Sequence, residues 1–275
     1  MKAPLAALVA ALSLVTVGGA GANGSAYSPG LDGWKGVRAP DGDVRYVTLG
    51  TPKSTLVAAI AVRGGHVLRS RALRGFYGVP LVAYDGTTGG LSGDGRTLVV
   101  ASYGPLPGNS GSTRFVTLRA KTLRPQRLVE LRGSWSYDAI SPDGSRLYLV
   151  EHVSAGQNPR YRVRAYDLAK GRLLPNAVID RLVSKAIMGG QPATRATTSD
   201  GRWAYTLYAR AKGKPFVHAL DTARRQALCI DLPLPLAQPE QMRLRLRLRA
   251  DSLAVRLGGE RLAAIDTRSF VVRRG

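Results

Sequence analysis

The sequence predicts an all-β fold, a β-propeller of about five four-stranded blades, on three observations. An Asp-Gly turn followed by an apolar strand recurs at near-constant intervals. A second strand–turn–strand signature keeps phase with it. Helical periodicity is weak along the 275 residues.

The first signature is Pro40-Asp41-Gly42, Gly93-Asp94-Gly95, Pro142-Asp143-Gly144 and Ser199-Asp200-Gly201, with a degraded copy at Ala250-Asp251-Ser252. The aspartates stand 53, 49, 57 and 51 residues apart. Asp-Gly marks a tight turn, because Gly accepts positive φ and the Asp carboxylate bonds the turn backbone. A strand-like run follows each copy, beginning at Val44, Thr97, Leu147, Trp203 and Leu253. The second signature ends an apolar strand in a turn, as at Ala165-Tyr166-Asp167, Ala219-Leu220-Asp221 and Ala264-Ile265-Asp266. Each repeat thus predicts four strands: one before the Asp-Gly turn, one after it, and two in the following hairpin. No single unit of this kind buries both its faces, so neighbours must stack. A pair of β-sandwiches would make the regular period accidental. Closure of a five-blade ring is expected through contacts between residues 33–39 and the last repeat.

The chain begins with Met1-Lys2, an uncharged run over residues 3–17, and small residues including Ala20-Gly21-Ala22. This is the pattern of a secretory signal cleaved after Ala22. The run is shorter than the ~20 apolar residues that span a bilayer. The expected organisation is a signal peptide at 1–22, a short segment at 23–32 and one propeller domain at 33–275. The mature protein is expected to be secreted or extracytoplasmic, without a transmembrane span. The single cysteine, Cys229, excludes an internal disulfide and reads as a small buried apolar residue.

Net charge is +22, carried mostly by arginine, with lysine at eight positions. Two readings compete: a GC-rich genome that favours arginine codons, and a polyanionic partner. An exported location makes an anionic cell-wall polymer or lipid surface a better candidate than nucleic acid, and no specific nucleic acid is expected.

The stretches Ser141-Pro142-Asp143-Gly144-Ser145-Arg146-Leu147-Tyr148 and Thr198-Ser199-Asp200-Gly201-Arg202-Trp203-Ala204-Tyr205 resemble the strand–turn–strand unit of Tol-type, YVTN-type and WD-like bacterial propellers. With Leu81-Val82-Ala83-Tyr84-Asp85-Gly86, Arg164-Ala165-Tyr166-Asp167-Leu168 and the segment from Pro215 to Thr222, the chain also resembles a group of secreted actinobacterial proteins. The resemblance implies a fold and an exported location and carries no function, because propellers host many functions. Many of these relatives have six to eight blades; five are counted here.

Eight of the eighteen acidic residues belong to repeat turns: Asp41, Asp94, Asp143, Asp167, Asp200, Asp221, Asp251 and Asp266. Asp138 precedes Asp143 by five residues and Arg195 precedes Asp200 by five, so both occupy one register position on successive inner strands. Tyr84, Asp85 and Tyr137 come from the same region of their repeats. These five residues are candidates for a polar ligand at the axis; a salt bridge tying neighbouring blades is the competing reading. His66, His152 and His218 lie in separate repeats without partners at ligand spacing, so no metal or other cofactor is expected. Neither a G-x-S-x-G elbow nor a P-loop is present.

Residues 242–249 read MRLRLRLR. Strand alternation puts Arg243, Arg245, Arg247 and Arg249 on one face, as a solvated seam, a channel lining or a docking surface for an anionic polymer. The preceding Pro-rich stretch reads as a linker, and residues 178–190 as a short helix or irregular insertion. The expected function is an exported, non-catalytic interaction or ligand-binding module, with an anionic envelope polymer or a protein as partner. The alternative is a propeller enzyme of the lactonase or cyclotransferase type, which needs Asp85, Asp138 and a histidine around one channel.

Overall fold

Alternating apolar residues in nearly every repeat generate strands that bury both faces. The structure, a computed structural model, describes residues 35–275 except 52, 155–158 and 181–186. The signal peptide at 1–22 and the segment at 23–32 lie outside the described residues. So does part of the insertion at 178–190.

Five antiparallel sheets follow one another in chain order. Sheet 1 contains β1 (Val37–Arg38), β2 (Val44–Gly50), β3 (Ser54–Ala61) and β4 (Val67–Arg74). Sheet 2 contains β5 (Thr97–Ala101), β6 (Ser112–Arg119) and β7 (Arg124–Arg132). Sheet 3 contains β8 (Trp135–Ile140), β9 (Arg146–Ser154), β10 (Arg160–Asp167) and β11 (Arg172–Leu173), and β12 (Met188–Gly189) also pairs with β10. Sheet 4 contains β13 (Gln191–Thr197), β14 (Trp203–Ala209), β15 (Phe216–Asp221) and β16 (Gln226–Asp231). Sheet 5 contains β17 (Arg245–Arg249), β18 (Ser252–Leu257), β19 (Glu260–Asp266) and β20 (Val272–Arg274). Four-stranded meanders of this kind fit propeller blades.

The Asp-Gly turns fall where the sequence puts them, with Gly42, Gly95, Gly144 and Gly201 at φ of 79°, 69°, 71° and 71°. Three of them share a network. Ser92, Ser141 and Thr198 each donate their hydroxyl to the Asp two residues on, at 2.6, 2.6 and 2.5 Å. Each hydroxyl then accepts the N–H that opens the next strand, from Thr97, Arg146 and Trp203, all at 2.9 Å. The first repeat has Ala39 at this place and forgoes the network.

Strand alternation decides which neighbour each residue meets. In β9, Leu147 and Leu149 pack against Val99, Phe115 and Val129 of sheet 2. Between them Tyr148 joins Val163, Ala204 and Leu220 against sheet 4. In β14, Tyr205 and Leu207 pack on Leu246, Leu253 and Val255 of sheet 5. Sheets 1 and 2 meet through Tyr46, Val57, Leu98 and Leu118. Adjacent sheets are therefore joined in chain order from first to last.

Two details depart from the sequence reading. The segment before the second Asp-Gly turn forms only isolated bridges, Leu81↔Thr88 and Leu91↔Leu98, so sheet 2 is three-stranded. Glycines at 86, 89 and 90 and Pro80 interrupt it. The Pro-rich linker carries the short helix α1 (Gln238–Arg243), with proline in its first turn where a missing N–H is harmless. Gln241 pins that helix, donating to the carbonyls of Gly213 and Leu236 and accepting Arg210 N–H. In the described part of residues 33–39, Gly36 carbonyl accepts the hydroxyl of Thr88, in the segment before sheet 2, at 2.7 Å. Among the described residues no apolar cluster spans the first and last sheets.

Candidate functional site

The inner ends of sheets 2, 3 and 4 converge. Tyr84 N–H donates to Pro192 carbonyl at 2.9 Å and Asp85 N–H to Ala193 carbonyl at 3.2 Å, so the irregular segment of sheet 2 is stitched directly to β13. At the opposite end of these strands the Asp-Gly turns crowd together. A Cβ on Gly93 would stand 1.9 Å from Asp200 carbonyl oxygen, so only glycine fits there.

Between these contacts Arg195 and Asp138 meet. β8 skips a pairing position between Tyr137 and Ala139, and this bulge leaves Asp138 unpaired. Arg195 donates to both the carboxylate and the backbone carbonyl of Asp138, and its Nε donates to Thr206 Oγ1 at 2.8 Å. Burial disfavours the guanidinium charge, but the Asp138 carboxylate reverses that effect and raises its pKa.

A pocket opens on one side of this pair, lined by Tyr84, Ser136, Tyr137, His152, Tyr161, Gln191 and Tyr208 among others. Its cavity volume is only ≈ 40 Å³, and Tyr84 at its mouth is 42% exposed. His152 Nε2 and Ser136 Oγ lie 3.0 Å apart. Burial lowers the His152 pKa to about 4, so the ring is neutral at pH 7. The Tyr161 hydroxyl is buried with no hydrogen-bond partner. Burial raises its pKa well above the ordinary tyrosine value, with a further contribution from the neighbouring Tyr208 hydroxyl, which still misses good bonding geometry. Tyr161, Tyr208 and Phe216 stack in series at 5.4 and 5.2 Å. A second pocket lies on the other side of the ion pair, among Gly90, Ser92, Ala139 and Thr198.

Of the five axial candidates, Tyr84, Tyr137, Asp138 and Arg195 come together in the first pocket. Asp85 does not join them. Its carboxylate accepts the Thr87 N–H at 3.0 Å and the Thr87 hydroxyl at 2.6 Å, a local turn that consumes it. The trio required by the enzymatic reading is therefore incomplete: Asp138 and His152 share the pocket, without Asp85.

The arginine stripe is redistributed. Arg243 ends α1 and is not on the strand. Arg245 is half-buried and donates to the carbonyls of Met242 and Leu244. Arg247 and Arg249 stay on β17 and face solvent. Register adds what the linear pattern hid: Arg256 lies opposite Arg245, Arg261 opposite Arg256, and Arg273 opposite Ala264. Arg247, Arg249, Arg256 and Arg261 line one shallow depression. The opposite face of the sheet supplies Leu246, Leu253, Val255, Ala263 and Ile265 to the core.

No family model and no curated protein matches the sequence. Solved structures similar in fold include TolB from Acinetobacter baumannii, 12% identical, covering 86% of this chain and 52% of that one, with a TM-score of 0.46. The β-propeller domain of Cps50 (Swd1) from Myceliophteria thermophila is 13% identical, with 80% and 61% covered and a TM-score of 0.47. A functionally unknown protein from Desulfotomaculum acetoxidans is 11% identical, with 84% and 78% covered and a TM-score of 0.44. The chain spans about half the length of the TolB chain it matches.

Among the described residues, no three His, Cys, Asp or Glu side chains approach closely enough to hold a metal ion. Nor is any described helix long and apolar enough to cross a membrane. Cys229 is part-buried, its Sγ 3.7 Å from Met188 Sδ, and burial pushes its thiol pKa up, away from reactivity. His218 is fully enclosed with both ring nitrogens unpartnered, and burial lowers its pKa.

Proposed function

We propose that the five sheets are the blades of one propeller and that the protein is an exported, non-catalytic binding module for an anionic polymer of the cell envelope. One observation carries this reading: the outer face of sheet 5 exposes Arg247, Arg249 and Arg261 beside part-buried Arg256. A sheet that buries one face and leaves arginines on the other is a surface for a charged partner. Alternate residues on a strand stand ~6.8 Å apart and neighbouring strands ~4.8 Å, so these guanidinium groups form a grid. Each can take a phosphate or carboxylate through two parallel N–H donors, which a lysine cannot do. Asp266, opposite Ser252 in the same sheet, is engaged by Arg268 N–H, Ser269 N–H and the Ser269 hydroxyl in its own turn.

The test must separate this face from the overall charge of +22. Two quadruple variants of the full chain remove the same charge. One carries Arg→Gln at 247, 249, 256 and 261; the other carries Arg→Gln at the exposed positions 63, 71, 119 and 124. Binding to a linear polyphosphate is measured against salt concentration. The first variant is expected to lose at least ~10-fold in affinity and to flatten the salt dependence, while the second loses little. Equal losses would reduce the attraction to a property of net charge and sink the proposal.

A further inference from the structure

We infer that the rim of sheets 1 and 2 opposite the Asp-Gly turns rests on the surface of an anionic lipid bilayer. The inference does not depend on the arginine face of sheet 5. It begins with the two ends of the strands. Each strand that leaves an Asp-Gly turn starts opposite the end of the next strand, as in the pairs Val44↔Ala61, Arg146↔Asp167, Trp203↔Asp221 and Ser252↔Asp266. Asp-Gly turns and hairpin turns therefore share one end of each sheet, and the eight turn aspartates stand there. The Asp-Gly turns also touch one another. Asp94 N–H donates to Pro142 carbonyl at 2.9 Å, and a Cβ on Gly95 would stand 3.0 Å from Pro40.

The opposite end of sheets 1 and 2 carries different chemistry. Phe76, Tyr103 and Leu106 are 58%, 60% and 49% exposed there. Phe76 and Tyr103 line one open groove of ≈ 630 Å³ with Arg74 and Arg114. Exposed Lys53 and Arg132 belong to the same end: Lys53 carbonyl accepts Gly75 N–H at 3.2 Å, and Arg132 lies opposite Ser112. Glu130 pairs with Arg114 at 3.1 Å and is outnumbered by these cations.

The loop that presents Tyr103 and Leu106 is anchored at both ends. A Cβ on Gly104 would stand 2.1 Å from Thr113 Oγ1, so the loop begins flush against β6. At its far end Gly133 N–H donates to Gly111 carbonyl at 2.8 Å. Pro105 and Pro107 stiffen the path between. The apolar side chains are thereby held in water, and exposed apolar groups gathered in this way mark a surface that a partner covers.

The charge and the shape of the rim select the partner. Interfacial binding grows with the apolar area inserted at the headgroup boundary and with the attraction of Lys and Arg to anionic lipid. Tyrosine suits that boundary, with its ring in the apolar region and its hydroxyl among the headgroups. A protein partner would need a continuous matching face. Here the apolar groups stand on separate loops beside an open groove, which fluid lipid fills without a matching shape. The aspartate-bearing end points away from a negative surface, so the field of the whole molecule orients it the same way.

The test places an environment-sensitive fluorophore at the rim of the full chain, through Leu106→Cys with Cys229→Ala. The control is the same label at Ser199→Cys, an exposed position among the Asp-Gly turns. Vesicles of phosphatidylglycerol or of phosphatidylcholine are titrated in. The label at 106 is expected to shift to the blue with phosphatidylglycerol, at a midpoint lipid concentration at least ~10-fold below that for phosphatidylcholine. The label at 199 should not shift. Phe76→Ser with Tyr103→Ser should raise the phosphatidylglycerol midpoint by at least ~10-fold and leave the thermal midpoint unmoved, because both side chains are already exposed. The quadruple variant of the arginine face should keep the shift at 106, so this result stands or falls apart from polymer binding. The inference is overturned if the label at 106 does not respond to phosphatidylglycerol, if both labels shift alike, or if the serine variant titrates as the parent does. A rim that seats a protein instead would give the first of these.

Discussion

Asp138 and Arg195 stand on adjacent inner strands, each five residues before the aspartate of its Asp-Gly turn, and their side chains close on one another with each 5% exposed. Burying both charges is tolerable because each is the other's partner and the backbone carbonyl of Asp138 takes a second donor. Removing one partner leaves the other desolvated and alone. Arg195→Met or Asp138→Asn is therefore expected to lower unfolding free energy by about 3–5 kcal/mol, measured by denaturant titration. The pair Asp138→Leu with Arg195→Met should recover much of that loss, because it strands no charge.

Gly93 gives a steric prediction. Alanine there meets the Asp200 carbonyl, which is backbone and cannot swing away. A destabilisation of about 1–3 kcal/mol is expected for Gly93→Ala, from the overpacking it forces. Gly259→Ala, where a Cβ meets nothing within 4 Å, is the control and should stay close to the parent.

The hydroxyl networks at the Asp-Gly turns predict a graded effect. Ser141→Ala removes a donor to Asp143 and an acceptor for Arg146 N–H together. A loss of about 1–2 kcal/mol is expected, and the same for Thr198→Ala. If thermal melts of both variants coincide with the parent, the network is ornamental.

Acid sensitivity follows from His152. Its pKa falls from the ordinary 6.5 to about 4 because burial disfavours the imidazolium. Between those values the unfolded chain takes up a proton that the native protein refuses. Stability is therefore lost as pH falls through this window, by up to about 3 kcal/mol, with no further contribution from this group below it. His152→Asn should flatten the stability profile between pH 7 and 4. Asp143 and Asp200 are a separate case. Partial burial pushes their pKa values up, but hydroxyl and N–H donors hold them below normal, so their contribution disappears only at lower pH.

The repeat was legible because its turns need particular residues at particular places. The five-residue offset from the Asp-Gly aspartates is enough to align Asp138 with Arg195, since strands before equivalent turns share one register. Asp85 misled: it sits in the right repeat position, but a threonine two residues on captures its carboxylate. His152, Tyr161 and Tyr208 lie at the far ends of β9, β10 and β14, where no turn motif marks them. Their convergence depends on how the sheets pack, which linear spacing does not encode. The arginine alternation was read over too long a stretch because Pro239 begins a short helix rather than ending a loop. Its real partners, Arg256 and Arg261, come from other strands.

The two pockets share Val82, Tyr137, Asp138 and Arg195 and otherwise divide the inner strands between them. The ion pair is thus a bulkhead. Among the described residues it is the wall the two spaces share, so a variant that shortens both side chains, Asp138→Ala with Arg195→Ala, is expected to join them.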